Sequence, residues 1–294
     1  MAPIRDLMID GYTTLTWPWR ARLERRYRRV AMAPISVVYY HRVADHDLNS
    51  WTITQEDFRR HLDWMQAHFE LISLAEAQRR IKTCYNSRPA IAITFDDGYA
   101  ENCDFAIPLL LERQIPVTYF CTVGHIQSGQ PFPHDVKAGT PAPVNTPHEL
   151  FDLAAAGIEI GGHTRTHADL GPIRDEGRLQ DEVLGACLDL AEIIEKPVRY
   201  FAFPYGLREN LNDRVFTLCR EAGLAGVCSA YGGYNLPGDD AFHIQRFHAD
   251  PQLSRLKNWL TLDPRKFYLT PRYQPKLTTN MWSSTGEIAE EVST

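Results

Sequence analysis

Two adjacent carboxylates, Asp96 and Asp97, stand in the run Thr94-Phe95-Asp96-Asp97-Gly98-Tyr99, directly after the apolar stretch Ala90-Ile91-Ala92-Ile93. A buried strand breaks into a loop there, and strand ends are where α/β proteins build their chemistry. Farther on, Gly161-Gly162-His163-Thr164-Arg165-Thr166-His167 comes after a second short strand, Ile158-Glu159-Ile160. It offers two imidazoles four residues apart, just past a glycine pair read as flexible. One carboxylate with two imidazoles is a ligand set for a divalent transition ion such as zinc, with a position left open for water or substrate. The remaining carboxylate then has a task. Coordination lowers the pKa of water from about 15.7 toward about 7, so a neighbouring carboxylate can take the proton and leave hydroxide facing a carbonyl carbon. That chemistry is metal-assisted hydrolysis of an amide or ester.

Each signal has an ordinary reading beside this one. Asp-Asp-Gly alone is more often a turn with a capping carboxylate, and a lone His-x-x-x-His on a surface helix carries no meaning. Together and in order the motifs carry a resemblance. Thr94 to Tyr99, then His163 to His167, then Phe201-Ala202-Phe203-Pro204-Tyr205-Gly206 resemble the first three motifs of the polysaccharide deacetylases, also called carbohydrate esterase family four or the NodB-homology domain. Tyr40-His41-Arg42-Val43, closing the strand Ile35-Ser36-Val37-Val38-Tyr39, is similar to the opening of many members. The resemblance spans Ile35 to Phe247. It implies that Asp96 is the catalytic base and that Asp97, His163 and His167 hold the metal, expected to be zinc with cobalt or nickel as alternatives. It implies that Thr164 orients a ligand or its loop, and that the Tyr205 backbone N–H stabilises the tetrahedral oxyanion.

Two departures from the family pattern raise expectations of their own. Several members carry an arginine in the third motif that holds the catalytic aspartate, and Phe201-Ala202-Phe203 has no charge. The late stretch His243-Ile244-Gln245-Arg246-Phe247-His248 alternates so that Arg246 and His248 share a face, and Arg246 is expected to tether Asp96. The family's usual general acid, a histidine after leucine and one other residue on a late strand, is missing. His248 and His41 are the candidates, with preference for His248; for His41 the alternative is a hydrogen-bonded core histidine. His125 and His134 are read as solvated loop residues, and Tyr99 and Tyr205 as aromatics able to stack on sugar rings.

These residues need elements to position them. Apolar runs at 35–40, 90–95, 117–122, 158–163, 200–203, 225–229 and 243–247 read as strands. They alternate with helical patterns, such as Phe58, Leu62, Met65 and Phe69 after the cap Thr54, and others near 102–111, 179–194 and 210–222. Such alternation predicts an α/β chain with a mostly parallel sheet and helices outside. The resemblance implies a distorted (β/α) barrel of about seven parallel strands. Residues 124–147, rich in Gly and Pro, form a long loop expected to select substrate.

The organisation expected is an N-terminal basic amphipathic segment, 1–34, a catalytic domain, 35–262, and a polar, mobile tail, 263–294. Within the first, Trp19, Leu23, Tyr27 and Val30 recur at helical spacing among six arginines. The stripe either packs on the barrel or brings residues 17–30 to an anionic membrane surface, suiting an enzyme of lipid-linked sugars. A net charge of -6 gives no footprint for nucleic acid. Six scattered cysteines without a Cys-x-x-Cys pair read as reduced core residues. With no apolar stretch of signal-peptide or membrane-spanning length, cytoplasmic residence is expected, with peripheral contact at the inner membrane surface as the variant that residues 17–30 raise. The function expected is removal of acetyl groups from an N-acetylated oligo- or polysaccharide precursor. The alternatives are hydrolysis of another C–N bond or of an O-acetyl ester, and silent carbohydrate binding on the same fold.

Overall fold

The computed structural model describes residues 2–249 and 251–276, with side chains from Asp6 onward. The expected apolar runs become parallel strands: β1 Ile35–Tyr40, β2 Ala90–Phe95, β3 Val117–Cys121, β4 Glu159–Gly162, β5 Tyr200–Ala202, β6 Gly226–Ser229, β7 His243–Gln245 and β8 Phe247–His248. Their order is β7-β6-β5-β4-β3-β2-β1-β8. Since β7 pairs with β6 and β8 pairs with β1, one stretch of chain, interrupted at Arg246, joins both edges of the sheet. The result is a nearly closed barrel of eight strand segments, the last two being halves of one stave. Every residue of β2 and β3 is buried, as expected of strands covered on both faces, and this is why they read as unbroken apolar runs.

The helices start where the sequence carries caps. Thr54 accepts from the Asp57 N–H to open Gln55–His68, and Thr146 with Glu149 forms a capping box for Pro147–Ala155. The helix expected near 102–111 is split into a 3-10 turn, Ala100–Cys103, and a helix, Ala106–Glu112. Asn102 anchors the first piece: its side chain accepts from the Val43 N–H and donates to the His41 carbonyl. Residues 124–147 are not one open loop, for they contain most of one short helix, Val123–Ser128, and all of another, Pro133–Ala138.

Helix α1 runs from Ala2 to Arg29, longer than the stripe suggests. Trp19, Leu23 and Tyr27 pack inward beside Tyr234, Phe247, Leu262 and Trp259, whereas Val30 lies beyond the helix and is exposed. Arg20, fully buried, donates to the Asn258 carbonyl and to Asn258 Oδ1 at 2.8 and 2.6 Å. The stripe is therefore occupied by the body of the protein. No described helix is long and apolar enough to cross a membrane.

The tail expected from residue 263 needs correction over its described part. Asp263 is buried and accepts from Asn258 and Tyr12, and Pro264–Leu269 is helical. Arg272 pairs with Asp239, and Tyr273 stacks on Phe216 at 5.7 Å. The remainder of the expected tail, 277–294, lies outside the described residues.

Candidate active site

The carboxylate pair sits where β2 ends. Asp96 and Asp97 are both buried, and Asp97 adopts φ +77 before Gly98 at φ +92. Thr164, His167 and Tyr205 also have positive φ, at +64, +58 and +60. Non-glycine residues in this region cost about 1–3 kcal/mol each and gather at functional sites. Here they turn the chain sharply at each of the three motifs, so that the side chains converge on one mouth of the barrel.

Asp97 Oδ1 lies 3.4 Å from His163 Nε2 and 3.3 Å from His167 Nε2. Two ligands bonded at about 2.0–2.1 Å to one tetrahedral ion sit about 3.3 Å apart by geometry, so these spacings suit a shared divalent cation. Asp97 Oδ1 is also buried with no hydrogen-bond partner, and the three side chains form a compact ligand cluster. Burial alone would raise the Asp97 pKa, but the adjacent imidazoles of His167 and His163 hold it well below the usual carboxylate range. His163 Nδ1 is 2.8 Å from the Ala202 carbonyl. With the proton assigned to Nδ1, Nε2 keeps its lone pair toward the cluster. The donor set thus fits a divalent metal.

The glycine pair before this loop is not a hinge. Gly161 and Gly162 belong to β4, and a Cβ on Gly161 would lie 2.4 Å from the Phe120 ring, one on Gly162 2.6 Å from Cys187 Sγ. Close packing, rather than flexibility, requires glycine here. The loop itself is held by Glu182, which accepts from the N–H groups of Arg165 and Thr166 and from the Thr166 hydroxyl. Thr164 contributes differently from the expectation: its carbonyl accepts from Val123, while its hydroxyl finds no partner.

Arg246 reaches through the gap between β7 and β8 into the barrel and binds Asp96 with two parallel bonds of 2.6 and 2.8 Å. It donates also to Thr94 Oγ1 and the Ser229 carbonyl, and its guanidinium lies over the rings of Tyr39 and Phe120. Burial pushes the Asp96 carboxyl up, and the charge and bonds of Arg246, together with the nearby His163 and His41, more than offset it, leaving the pKa lowered. Asp96 is a buried, ionised carboxylate at the floor of the site.

A cavity of about 330 Å³ opens over this cluster. His41 and His248 both line it, with rings 5.8 Å apart. Burial lowers the pKa of each, that of His248 to about 3. His41 alone of the two is also drawn upward by Asp97 as well as Asp96. Tyr205, 54% exposed, forms part of the wall against His167, and its backbone N–H meets no acceptor among the described residues.

Tyr99 is not a sugar-facing ring: it is fully buried and its hydroxyl donates to Asp135 at 2.7 Å. His134, read from sequence as solvated, lines the cavity instead, its Nε2 3.2 Å from the Tyr99 hydroxyl. His125 remains at the surface, packed against Phe132. Trp51, unremarked in the sequence, stands 42% exposed in the cavity between His41 and His134. Asn49 holds its loop, accepting from the Trp51 N–H and donating to Asp135. The one sequence signal was an aromatic two residues after Asn49 in a polar stretch, too common a pattern to single out.

The parallel barrel brings the Asp97, His163 and His167 cluster beside the ionised Asp96, which places a donor set for a divalent ion next to a carboxylate base. The family model described as polysaccharide deacetylase matches residues 84–227, including Asp96, Asp97, His163, His167 and Tyr205. Over that stretch, just under half of its length, the chain is similar to the polysaccharide deacetylase family. A poly-beta-1,6-N-acetyl-D-glucosamine N-deacetylase of Staphylococcus aureus is 22% identical over 247 residues, covering 81% of each protein. YxkH of Bacillus subtilis is 22% identical over 179 residues, 59% of this chain and 57% of that protein, so under two thirds of that relative is matched. Among solved structures, IcaB from Ammonifex degensii superposes with a TM-score of 0.63 at 22% identity, over 78% of this chain and 97% of that one. The Streptococcus pyogenes deacetylase PplD in complex with acetate gives 0.64 at 16% identity, over 78% and 99%. These likenesses share the fold. His41, Arg246 and His248 lie outside the family match.

Proposed function

We propose that the chain is a hydrolase that removes the acetyl group from an N-acetylated sugar of an oligo- or polysaccharide precursor. The observation that carries this reading is Asp96, kept ionised by Arg246 beside the Asp97, His163 and His167 cluster. A binding protein gains nothing from a buried base maintained at that cost.

A divalent ion held by Asp97, His163 and His167, zinc by preference with cobalt or nickel as substitutes, would supply Lewis acidity and acidify water at the scissile carbonyl. Asp96 takes the proton of the attacking water, and Arg246 keeps its two oxygens in place. The Tyr205 N–H donates to the oxyanion as it develops. The departing amine needs a proton, and His41 and His248 both line the same cavity. The sequence favours His248, but the nearness of His41 to both carboxylates supports His41 as the donor, with His248 behind it. Trp51 and Tyr205 offer apolar ring surface to the sugar.

The six free cysteines, four of them buried, support a reducing compartment. A cytoplasmic enzyme would meet its sugar as a precursor, including one linked to lipid at the inner membrane surface. The test is acetate release from N-acetylglucosamine oligomers by protein stripped of metal and reloaded with zinc, cobalt or nickel. Release restored by metal and abolished by Asp96→Asn is expected; stoichiometric metal binding without release from any N-acetyl sugar would overturn the reading.

A further inference from the structure

Helix α1 turns one face to the protein and leaves the opposite face bare. At steps of three and four residues that outer face carries Leu7, Gly11, Leu15 and Pro18, and then Arg22, Arg25 and Arg29. Leu7, Met8 and Leu15 are 73%, 69% and 84% exposed, and nothing among the described residues approaches the position of a Cβ on Gly11. The arginines are exposed as well. Of the two acids within this stretch, Glu24 pairs with Arg28 and Asp10 stands exposed on the flank of the leucine half. A basic run on a chain of net charge -6 is not background composition.

We propose that this outer face of α1 is a contact surface for an anionic lipid bilayer. The leucines of the first half enter the boundary between headgroups and acyl chains, and the arginines of the second half lie among the lipid phosphates. Interfacial helices bind through both contributions together. A helix of 28 residues spans about 42 Å at 1.5 Å per residue, so the two halves can engage one plane at once. Charge complementarity selects the occupant: an apolar protein surface would leave the guanidinium groups unmatched, and a polyanion alone would leave the leucines in water. The stripe of Trp19, Leu23 and Tyr27 takes no part, being packed beneath the helix. The surface deepens the membrane location proposed above and does not depend on the reaction.

The experiment is co-sedimentation of the full chain with vesicles of phosphatidylcholine alone or mixed with phosphatidylglycerol. Binding only to the mixed vesicles is expected, weakening as salt rises. The variants R22Q/R25Q/R29Q and L7S/M8S/L15S should each lower it at least about tenfold, with helical circular dichroism and acetate release from soluble oligomers unchanged. Absence of binding to the mixed vesicles, or binding that neither variant reduces, overturns the proposal. So does self-association that the leucine variant abolishes, which would give the face to a second copy. Acetate release measured on the same preparations separates failure of this surface from failure of the proposed reaction.

Discussion

With Arg246 in place, Asp96 is a charged base inside the barrel; without it, burial would push the carboxyl up and leave a buried charge unpaired. Arg246→Ala is therefore expected to cost about 3–5 kcal/mol of stability, seen as a lower denaturation midpoint. Because an active Asp96 must be ionised and its pKa would rise, the acid limb of the acetate-release profile should move to higher pH. Arg246→Lys, keeping charge but losing the paired bonds, should fall between. For the proton donor, His41→Asn is expected to lower turnover by about 10²–10⁴-fold and His248→Asn by less; equal losses in acetate-release assays would argue for shared work. At this scale the motif residues were legible because each stands at a fixed offset from its neighbours in the chain. Arg246 was legible from a missing charge, since Phe201-Ala202-Phe203 left Asp96 without a partner. Trp51 and His134 were not, because the Asn49–Asp135 bond that sets both walls of the cavity joins loops 86 residues apart. Tyr99 was misread for the same reason: its partner, Asp135, lies 36 residues away.

The loop between His163 and His167 rests on a π-turn, Asp181–Gly185, that interrupts the helical stretch 176–194. A π-turn inserts a residue into the helical ladder and re-aims the side chains beyond it, and here it presents the Glu182 carboxylate to three donors of Arg165 and Thr166. Glutamine can replace one accepting oxygen but sets an amide against the remaining donors. Glu182→Gln is expected to weaken metal affinity about 10–100-fold, measured by metal titration, while the midpoint of unfolding changes little. Gly161→Ala tests a different element, since its methyl would press into the Phe120 ring. A loss of about 1–3 kcal/mol in stability is expected, and a neutral result would restore the reading of that pair as a hinge. Strand positions were legible because parallel strands covered on both faces are continuous apolar runs. The interruption at Arg246 and the π-turn were not, because apolar periodicity records which residues are buried and not which backbone groups pair.

Closure of the barrel depends on segments distant in sequence. Residues 243–248 join β6 to β1, α1 packs beside residues 253–260, and Arg272 and Tyr273 cover the outside of β7 through Asp239, Phe216 and His243. The polar character of residues 263–276 concealed this, for their anchors are buried carboxylate and guanidinium bonds rather than an apolar stripe. Closure also buries imidazoles away from the site. His61 is fully buried with its Nδ1 3.2 Å from the Tyr40 hydroxyl, and burial lowers its pKa from 6.5 to about 4. His243, between Ser229 and the Tyr273 carbonyl, is lowered to about 3 by burial and then by Arg272. Both are neutral in the folded chain and titrate near 6.5 once unfolded, so between these values the unfolded state binds more protons. The stability they contribute is complete above pH 6.5 and is lost as pH falls through that value toward the folded pKa. For His61 the fall from 6.5 to about 4 corresponds to about 3 kcal/mol. His61→Gln keeps an acceptor for the Tyr40 hydroxyl and cannot take up a proton. Urea unfolding at pH 7 and pH 4 is therefore expected to show a smaller acid loss in the variant than in the parent, by up to about 3 kcal/mol, and identical losses would place the acid sensitivity elsewhere.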